Sequence, residues 1–193
     1  MNKTQPIRKL DQIQKIRRNL KTPEKAVFYA LFVTGCNTNL RVSDLRGLTW
    51  RNVWDDGTTD LCEHINIVEQ KTGKKRRIKM SENIAEALTY LLANLGRTPA
   101  PDEPIFRNRT SREVYSREYL SRLIKFEAAK VGVVGSVGMH TLRKTWGYHA
   151  AITFGQPIII IQGAFNHASQ QQTKDYICIT DDEIDTVIEA VAL

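Results

Sequence analysis

Six side chains of the sequence have the chemistry to act together on a phosphodiester bond. They are two arginines, a lysine, two histidines and a tyrosine, and we call them the candidate catalytic set: Arg41, Lys71, His140, Arg143, His167 and Tyr176. Guanidinium groups match the non-bridging phosphate oxygens, which carry extra negative charge in a phosphorane transition state. A lysine can protonate a departing sugar oxygen, and a tyrosine hydroxyl can attack phosphorus when a base or positive charge assists it. The combination suits phosphodiester transesterification without a metal ion.

Each of these signals is weak when it is taken alone. His140 and Arg143 lie three residues apart on one face of a predicted helix, where such a pair is usually solvated or capping. Arg41 enters an apolar helix start, and an arginine there is more often a surface residue. His167 lies in an inter-helix turn that precedes Tyr176. Only the complete set indicates a site.

The segment KTGKKRRIK (71–79) is strongly cationic. Its plain interpretation is a solubilising turn, and the alternative is a loop that follows a phosphate backbone. In the second case the residues after Lys71 would contact DNA: Lys74, Lys75, Arg76 and Arg77. The formal net charge of the chain is +7, which favours a polyanionic partner.

Hydrophobic spacing predicts the elements that position these side chains. HINIVEQ (64–70) and KRRIKM (75–80) flank a turn and predict a hairpin, with a third strand around 50–54 or 59–63. Helical spacing dominates the rest of the chain, in segments that begin near Leu10 and Thr22, after Ser81, and at 116–131, 140–154, 157–166 and 181–191. The sequence therefore predicts a mainly α fold with a small three-stranded antiparallel β-sheet, in one domain covering residues 1–193.

The remaining composition narrows the class of protein. Cys36, Cys62 and Cys178 form no CxxC pair, which favours free thiols in a reducing compartment and gives no support for a zinc site. No carboxylate or histidine cluster has the spacing of a metal nuclease, so neither a metal nor another cofactor is expected. The apolar stretch 157–165 is too short to span a bilayer, and the polar N-terminus is unlike a signal peptide. We expect a cytoplasmic protein.

Four segments resemble the successive motif blocks of the tyrosine recombinase, or phage integrase, family. They are NTNLRVSDLRGLTW (37–50), EQKTGKKRRI (69–78), HTLRKTWGYHA (140–150) and FNHASQQQTKDYI (165–177). The blocks occur in the family's order, and the resemblance runs from about residue 25 to 180. It implies a tyrosine recombinase catalytic domain that cuts and rejoins double-stranded DNA, with self-association on DNA from dimer to tetramer.

The resemblance also implies a role for each residue of the set. Arg41 and Arg143 resemble the arginines that clamp the phosphate, and Tyr176 resembles the nucleophile that forms a 3′-phosphotyrosine. Lys71 resembles the general acid toward the 5′ oxygen. The histidines and one carboxylate resemble supporting groups: His140 for proton transfer at the nucleophile, His167 for hydrogen bonding to phosphate, and Asp44 for holding the site together.

The chain departs from the family pattern in places. Asn39 and Asn166 stand where glycine is usual, and both changes are mild because asparagine tolerates a left-handed backbone. Ala164-Phe165 replaces a commoner Leu-Leu. Only a short segment precedes the first matching helix, so the N-terminal core-binding domain of most members is not evident.

Two other functions fit the same residues. One is a topoisomerase IB-like enzyme that nicks and reseals one strand by the same chemistry. The other is a non-catalytic DNA-binding regulator that keeps the fold, which the complete catalytic set disfavours. The tail 179–193 predicts a helix whose apolar stripe packs either on its own core or on a neighbouring copy: Ile184, Val187, Ile188 and Val191.

Overall fold

The computed structural model describes residues 4–55 and 57–191. Its nine α-helices, within that part of the chain, are α1 Leu10–Leu20, α2 Ala26–Asn37, α3 Val42–Arg46, α4 Glu82–Leu95, α5 Arg117–Lys130, α6 Met139–Tyr148, α7 Ile158–Phe165, α8 Gln170–Ile177 and α9 Asp181–Ala190. Short 3₁₀ turns lie at Pro23–Lys25 and Trp50–Asn52, and α6 continues as a π-helix at His149–Thr153. The mainly helical prediction is confirmed.

Helix α2 is the centre of the main hydrophobic core. Nearly all of its side chains are buried, from Ala26 to Gly35, because the helix is apolar on every face. It packs on α4 along one side and on α6 and α1 along others. Helix α6, which carries His140 and Arg143, is therefore fixed against the most buried element of the protein.

The sheet has two strands in the described residues, not the three expected. Strands β1 (His64–Val68) and β2 (Lys75–Lys79) are antiparallel, with Ile65 opposite Ile78. In the region of the expected third strand, the described residues form one isolated bridge, between Trp54 and Leu61. The reason is local: residues 50–52 wind into a 3₁₀ turn and cannot also extend into a strand.

Helices α6, α7 and α8 meet in a second, smaller hydrophobic cluster. Tyr148, Ile161, Phe165 and Ile177 are its buried members. Gly147 lies at the contact, where an added Cβ would be 2.5 Å from Phe165 Cζ and 2.7 Å from Ile177 Cγ2. This glycine therefore allows the helix that carries Tyr176 to approach α6.

We expect Gly147→Ala to destabilise the protein by about 1–3 kcal/mol, because overpacking forces α7 and α8 away from α6. Gly163→Ala is the matched control, since an added Cβ on that helical glycine meets nothing within 4 Å. Alanine favours helix over glycine, so the control should be neutral or stabilised by up to about 1 kcal/mol. Denaturant unfolding measures both variants. Equal stabilities for the two would contradict the close packing at Gly147.

Candidate active site

Arg143 lies inside the protein, where α6 meets the chain segments that follow α2 and end α7. Its side chain is 3% exposed. The guanidinium donates through Nη1 to the Asn39 carbonyl oxygen and through Nη2 to that of Phe165, at 3.0 Å. Burial lowers the pKa of Arg143 to about 10, so it remains protonated at neutral pH. Arg143 is thus a fixed cation that joins three of the four motif blocks.

Arg41 has extended backbone immediately before α3, and its side chain is 22% exposed. Its Nη1 forms an ion pair with Oε2 of Glu69 at 2.7 Å. Three residues on, the buried Asp44 accepts a hydrogen bond from the Gln70 backbone N–H through Oδ1, at 2.9 Å. Both contacts join the start of α3 to the end of strand β1. Asp44 therefore lies where a supporting carboxylate is expected, while its functional role stays a prediction.

Tyr176 lies on α8 and points into the same region. Its ring centroid is 5.2 Å from that of His167, and the guanidinium carbon of Arg143 is 5.9 Å away. Burial raises the pKa of Tyr176, and the charges of Arg143 and Arg41 counteract only part of that rise. The phenol is therefore protonated at neutral pH, and a phenol in that state needs a proton acceptor in order to act as a nucleophile.

Both histidines of the set lie close to this tyrosine. His140 lines a cavity of about 660 Å³ with Tyr176 and Lys144. Burial lowers the pKa of His140, and burial followed by the charges of Arg143 and Arg41 lowers the pKa of His167. Both rings are therefore neutral at pH 7, and each has one nitrogen that donates and one that accepts.

The hairpin turn places its lysines differently. Lys71 is exposed, and no hydrogen bond or ion pair is found for it among residues 4–55 and 57–191. Lys74 reaches across to α7, where its Nζ is 3.5 Å from Oδ1 of Asn166. The structure therefore gathers five members of the candidate catalytic set and leaves Lys71 at the solvent-exposed turn.

The residues expected to contact DNA divide into two groups. Lys74, Lys75 and Arg77 are exposed along the turn and β2. Arg76 instead points inward: its Nη1 is 3.0 Å from Oε1 of Glu69, and its Nη2 donates to Ala164 O at 3.1 Å. Side-chain alternation along the strand explains the difference.

The two asparagines that replace family glycines use different properties. Asn166 ends α7 in the left-handed conformation, with φ 55° and ψ 46°, as its tolerance of that backbone implies. Asn39 is not among the described residues of positive φ, so this explanation does not apply there. Its side chain donates from Nδ2 to Ala164 O at 2.7 Å and accepts from Arg76.

Sequence reasoning missed two charged residues of the site. Glu69 is 1% exposed between Arg41 and Arg76. Lys144 is 4% exposed, and its Nζ is 5.0 Å from the Tyr176 ring centroid. The available signals were an acidic residue next to a cationic turn and a lysine directly after Arg143. Neither pattern by itself indicates burial.

Comparison with known proteins decides the family. A sequence profile of the phage integrase family matches residues 8–183. The chain belongs to this family. It is 32% identical over 182 residues to the probable integrase/recombinase YoeC of Bacillus subtilis (strain 168), covering 94% of this chain and 93% of that protein. The prediction of a tyrosine recombinase of the phage integrase family is confirmed.

Solved structures of low identity show the same fold. XerA recombinase superposes with a TM-score of 0.75 at 20% identity, over 98% of this chain and 65% of that chain. The Tn1549 transposon integrase in complex with a circular intermediate DNA gives a TM-score of 0.68 at 17% identity, over 99% of this chain and 67% of that chain. The chain thus spans about two thirds of each neighbour.

The described part of this phage integrase family member has neither a clustered metal site nor a membrane-spanning helix. Across residues 4–55 and 57–191, no group of three or more His, Cys, Asp or Glu side chains is arranged to hold a metal ion. Among the helices of the described part, none has the length and apolar character needed to cross a membrane.

The neutral histidines lead to a pH prediction. In the DNA-free protein, His140 and His167 should titrate below the ordinary value of about 6.5, because burial and neighbouring cations disfavour the imidazolium. These histidines take up protons at a higher pH in the unfolded chain than in the folded protein. Acid therefore favours the unfolded state, and the free energy of unfolding should fall as the pH drops below about 6.5. Histidine NMR titration measures the pKa values, with His140→Gln and His167→Gln used for assignment. A pKa above 6.5 for either ring would contradict the described burial.

Proposed function

We propose that this chain is a site-specific DNA recombinase that cuts and rejoins strands through a 3′-phosphotyrosine on Tyr176. The observation that carries the proposal is the position of the Tyr176 ring, next to His167 and 5.9 Å from the buried guanidinium of Arg143. A tyrosine beside a fixed cation, at the wall of an open cavity, is placed to attack an anionic phosphodiester.

In the proposed reaction, the Tyr176 oxygen forms a bond to phosphorus and the bond from phosphorus to the 5′ oxygen breaks. Arg41 and Arg143 stabilise the charge that develops on the non-bridging oxygens, and His167 adds a hydrogen bond. The tyrosine proton passes to the neutral His140 that shares its cavity. Lys71 supplies a proton to the departing 5′ oxygen.

The energy of the broken bond is conserved in this scheme. One phosphodiester is exchanged for a phosphotyrosyl ester of similar energy, so the rejoining step needs no ATP. Attack of a free 5′ hydroxyl on the phosphotyrosine reverses the bond changes and returns the proton to Tyr176. Double-stranded DNA is the proposed substrate, and the exposed Lys74, Lys75 and Arg77 are proposed to contact its backbone.

Self-association on DNA, from dimer to tetramer, is part of the proposal. The C-terminal segment supports it, because Ile184 and Ile188 of α9 and Val191, which follows the helix, are 50%, 66% and 60% exposed. The side chain of Val187, expected in the same stripe, lies outside the described residues. The first turn of α9 is held by its own chain, since Tyr148 Oη donates to Glu183. The apolar face beyond that turn is the part proposed to contact a second copy.

Replacing the proposed nucleophile tests the reaction directly. Tyr176→Phe should abolish the covalent adduct with a nicked suicide duplex, because only the attacking hydroxyl is removed. The duplexes are a pool of randomised sequence, from which covalent capture by the unmodified chain selects the target site. Denaturing gels detect the adduct, and peptide mass spectrometry locates the modified residue.

Tyr148→Phe is the matched control. Its hydroxyl is bonded to Glu183 and its pKa is raised to about 12, mainly by burial, so the control should keep the adduct. An adduct that persists in Tyr176→Phe, or one that maps to Tyr148, would overturn the proposal. A DNA-binding regulator would give specific binding without an adduct in the unmodified chain, and a topoisomerase-like enzyme would reseal nicks without exchanging partners.

Replacing the proposed general acid tests the leaving-group step. Lys71→Ala should slow cleavage by about 10²–10⁴-fold, the usual contribution of a positioned acid. A substrate with a bridging 5′ sulfur should recover most of that loss, because a thiolate leaves without a proton. Single-turnover cleavage of the oxygen and sulfur substrates measures both effects.

Lys74→Ala is the control, since Lys74 occupies the same turn and reaches Asn166. Lys74→Ala should slow cleavage of the oxygen and sulfur substrates to a similar extent, and by less than Lys71→Ala slows cleavage of the oxygen substrate. The reverse result, with sulfur rescuing Lys74→Ala and not Lys71→Ala, would assign the acid to Lys74 instead.

A further inference from the structure

Glu69 is a buried carboxylate between two arginines. It is 1% exposed, with Oε2 at 2.7 Å from Nη1 of Arg41 and Oε1 at 3.0 Å from Nη1 of Arg76. Burial acts to raise the pKa of Glu69, but hydrogen bonds from Thr72 and Arg76 and the ion pair with Arg41 outweigh it and lower the pKa to about 2. The side chain is therefore an anion at any pH at which the protein works.

The same carboxylate organises the turn that carries Lys71. Thr72, the next residue, donates from its hydroxyl to Oε2 of Glu69 at 2.7 Å. The Gly73 N–H donates to the Glu69 carbonyl at 2.8 Å, and the Glu69 N–H donates to Lys74 O at 2.9 Å. Oxygen Oε2 thus contacts both the turn of the proposed general acid and the proposed phosphate-binding arginine.

Arg76 fastens this assembly to the rest of the site. While its Nη1 pairs with Glu69, its Nη2 donates to Oδ1 of Asn39 and to Ala164 O. Those two partners belong to the segments that follow α2 and end α7, next to the carbonyl groups that bind Arg143. The hairpin is therefore connected through one carboxylate and one guanidinium to two other parts of the site, the segment between α2 and α3 and the end of α7.

We propose that Glu69 is a positioning residue, which sets the Lys71 turn against Arg41 so that the acid and the phosphate clamp reach the same phosphodiester. The inference rests on the proposed function, and it assigns a residue that has no role in the family resemblance described above. Lys71 has no described contact of its own, so its position depends on the turn that carries it. Arg76, held by three partners, belongs to this positioning assembly and not to the DNA-contacting surface.

The test separates loss of acid placement from loss of phosphate binding. Glu69→Gln keeps the shape of the side chain and removes its charge, so the turn loses its strongest anchor while Lys71 remains. We expect cleavage of the ordinary oxygen substrate to slow at least 10-fold in single turnover. The bridging 5′-sulfur substrate, which needs no acid, should be cut at close to the unmodified rate, with DNA affinity unchanged.

Two matched variants complete the experiment. Glu63→Gln is the control, because Glu63 pairs with Lys79 on the same hairpin but is 69% exposed, and it should cut both substrates normally. Thr72→Val removes only the hydroxyl that joins the turn to Glu69, and it should show the same oxygen-specific defect as Glu69→Gln, at smaller size. If thermal melting shows that Glu69→Gln is not folded, Thr72→Val still tests the inference.

Each outcome has a definite meaning. An oxygen-specific defect in Glu69→Gln and Thr72→Val supports the inference, and normal cleavage of both substrates overturns it. Equal slowing of both substrates also overturns it, because the residue then acts through Arg41 on the phosphate. If the unmodified chain forms no adduct, the proposed function fails first, and that result is distinct from every result on Glu69.

Discussion

The site depends on the two hydrogen bonds that Arg143 donates to main-chain carbonyl groups. Its guanidinium is 3% exposed and donates to the main-chain oxygens of Asn39 and Phe165, which belong to segments far apart in sequence. A buried cation without such partners would cost several kcal/mol. Because these contacts lie on the buried side, the charge is fixed before any ligand arrives. Preorganisation of this kind is what makes electrostatic stabilisation of a transition state effective.

Two further guanidinium groups lie near Arg143, and the carboxylate of Glu69 offsets part of their positive charge. Burial lowers the pKa of Arg143 most, the charges of Arg41 and Arg76 lower it further through repulsion, and those of Tyr176 and Glu69 act to raise it. Glu69 pairs with Arg41 and Arg76, so the free protein holds three guanidinium groups close together with one buried anion between them. A phosphodiester group would bring the next negative charge to this region. The net positive charge of the site therefore favours an anionic ligand.

The sequence predicted the parts of this site that depend on local pattern. Helical spacing placed His140 and Arg143 on one helix, and the turn after HINIVEQ placed Lys71 at a hairpin. The prediction of a third strand was wrong, because residues Trp50–Asn52 form a capped 3₁₀ turn and cannot also be part of an extended strand.

Contacts distant in sequence could not be predicted in the same way. The sequence predicts DNA contacts for Arg76 together with Lys74, Lys75 and Arg77, and only the packing of β2 shows that Arg76 alone of the four points inward to Glu69. Asn39 was explained by backbone tolerance, although its side chain serves as a hydrogen-bonding bridge. The roles of these residues follow from the strand face and from their partners, which a single sequence does not reveal.

The smaller hydrophobic cluster, and not the core around α2, packs against α8, the helix that carries the proposed nucleophile Tyr176. Helix α8 has eight residues, too few to persist in isolation, and only Thr173 and Ile177 of it are buried. Its packing partners lie in the cluster of Tyr148, Ile161, Phe165 and Ile177, apart from the core around α2. Phe165 of this cluster also supplies the carbonyl oxygen that accepts a hydrogen bond from Arg143, so the packing that holds α8 and the placement of the buried cation share one residue. The position of Tyr176 therefore depends on the few buried side chains of this small cluster, which also determine where one partner of Arg143 lies.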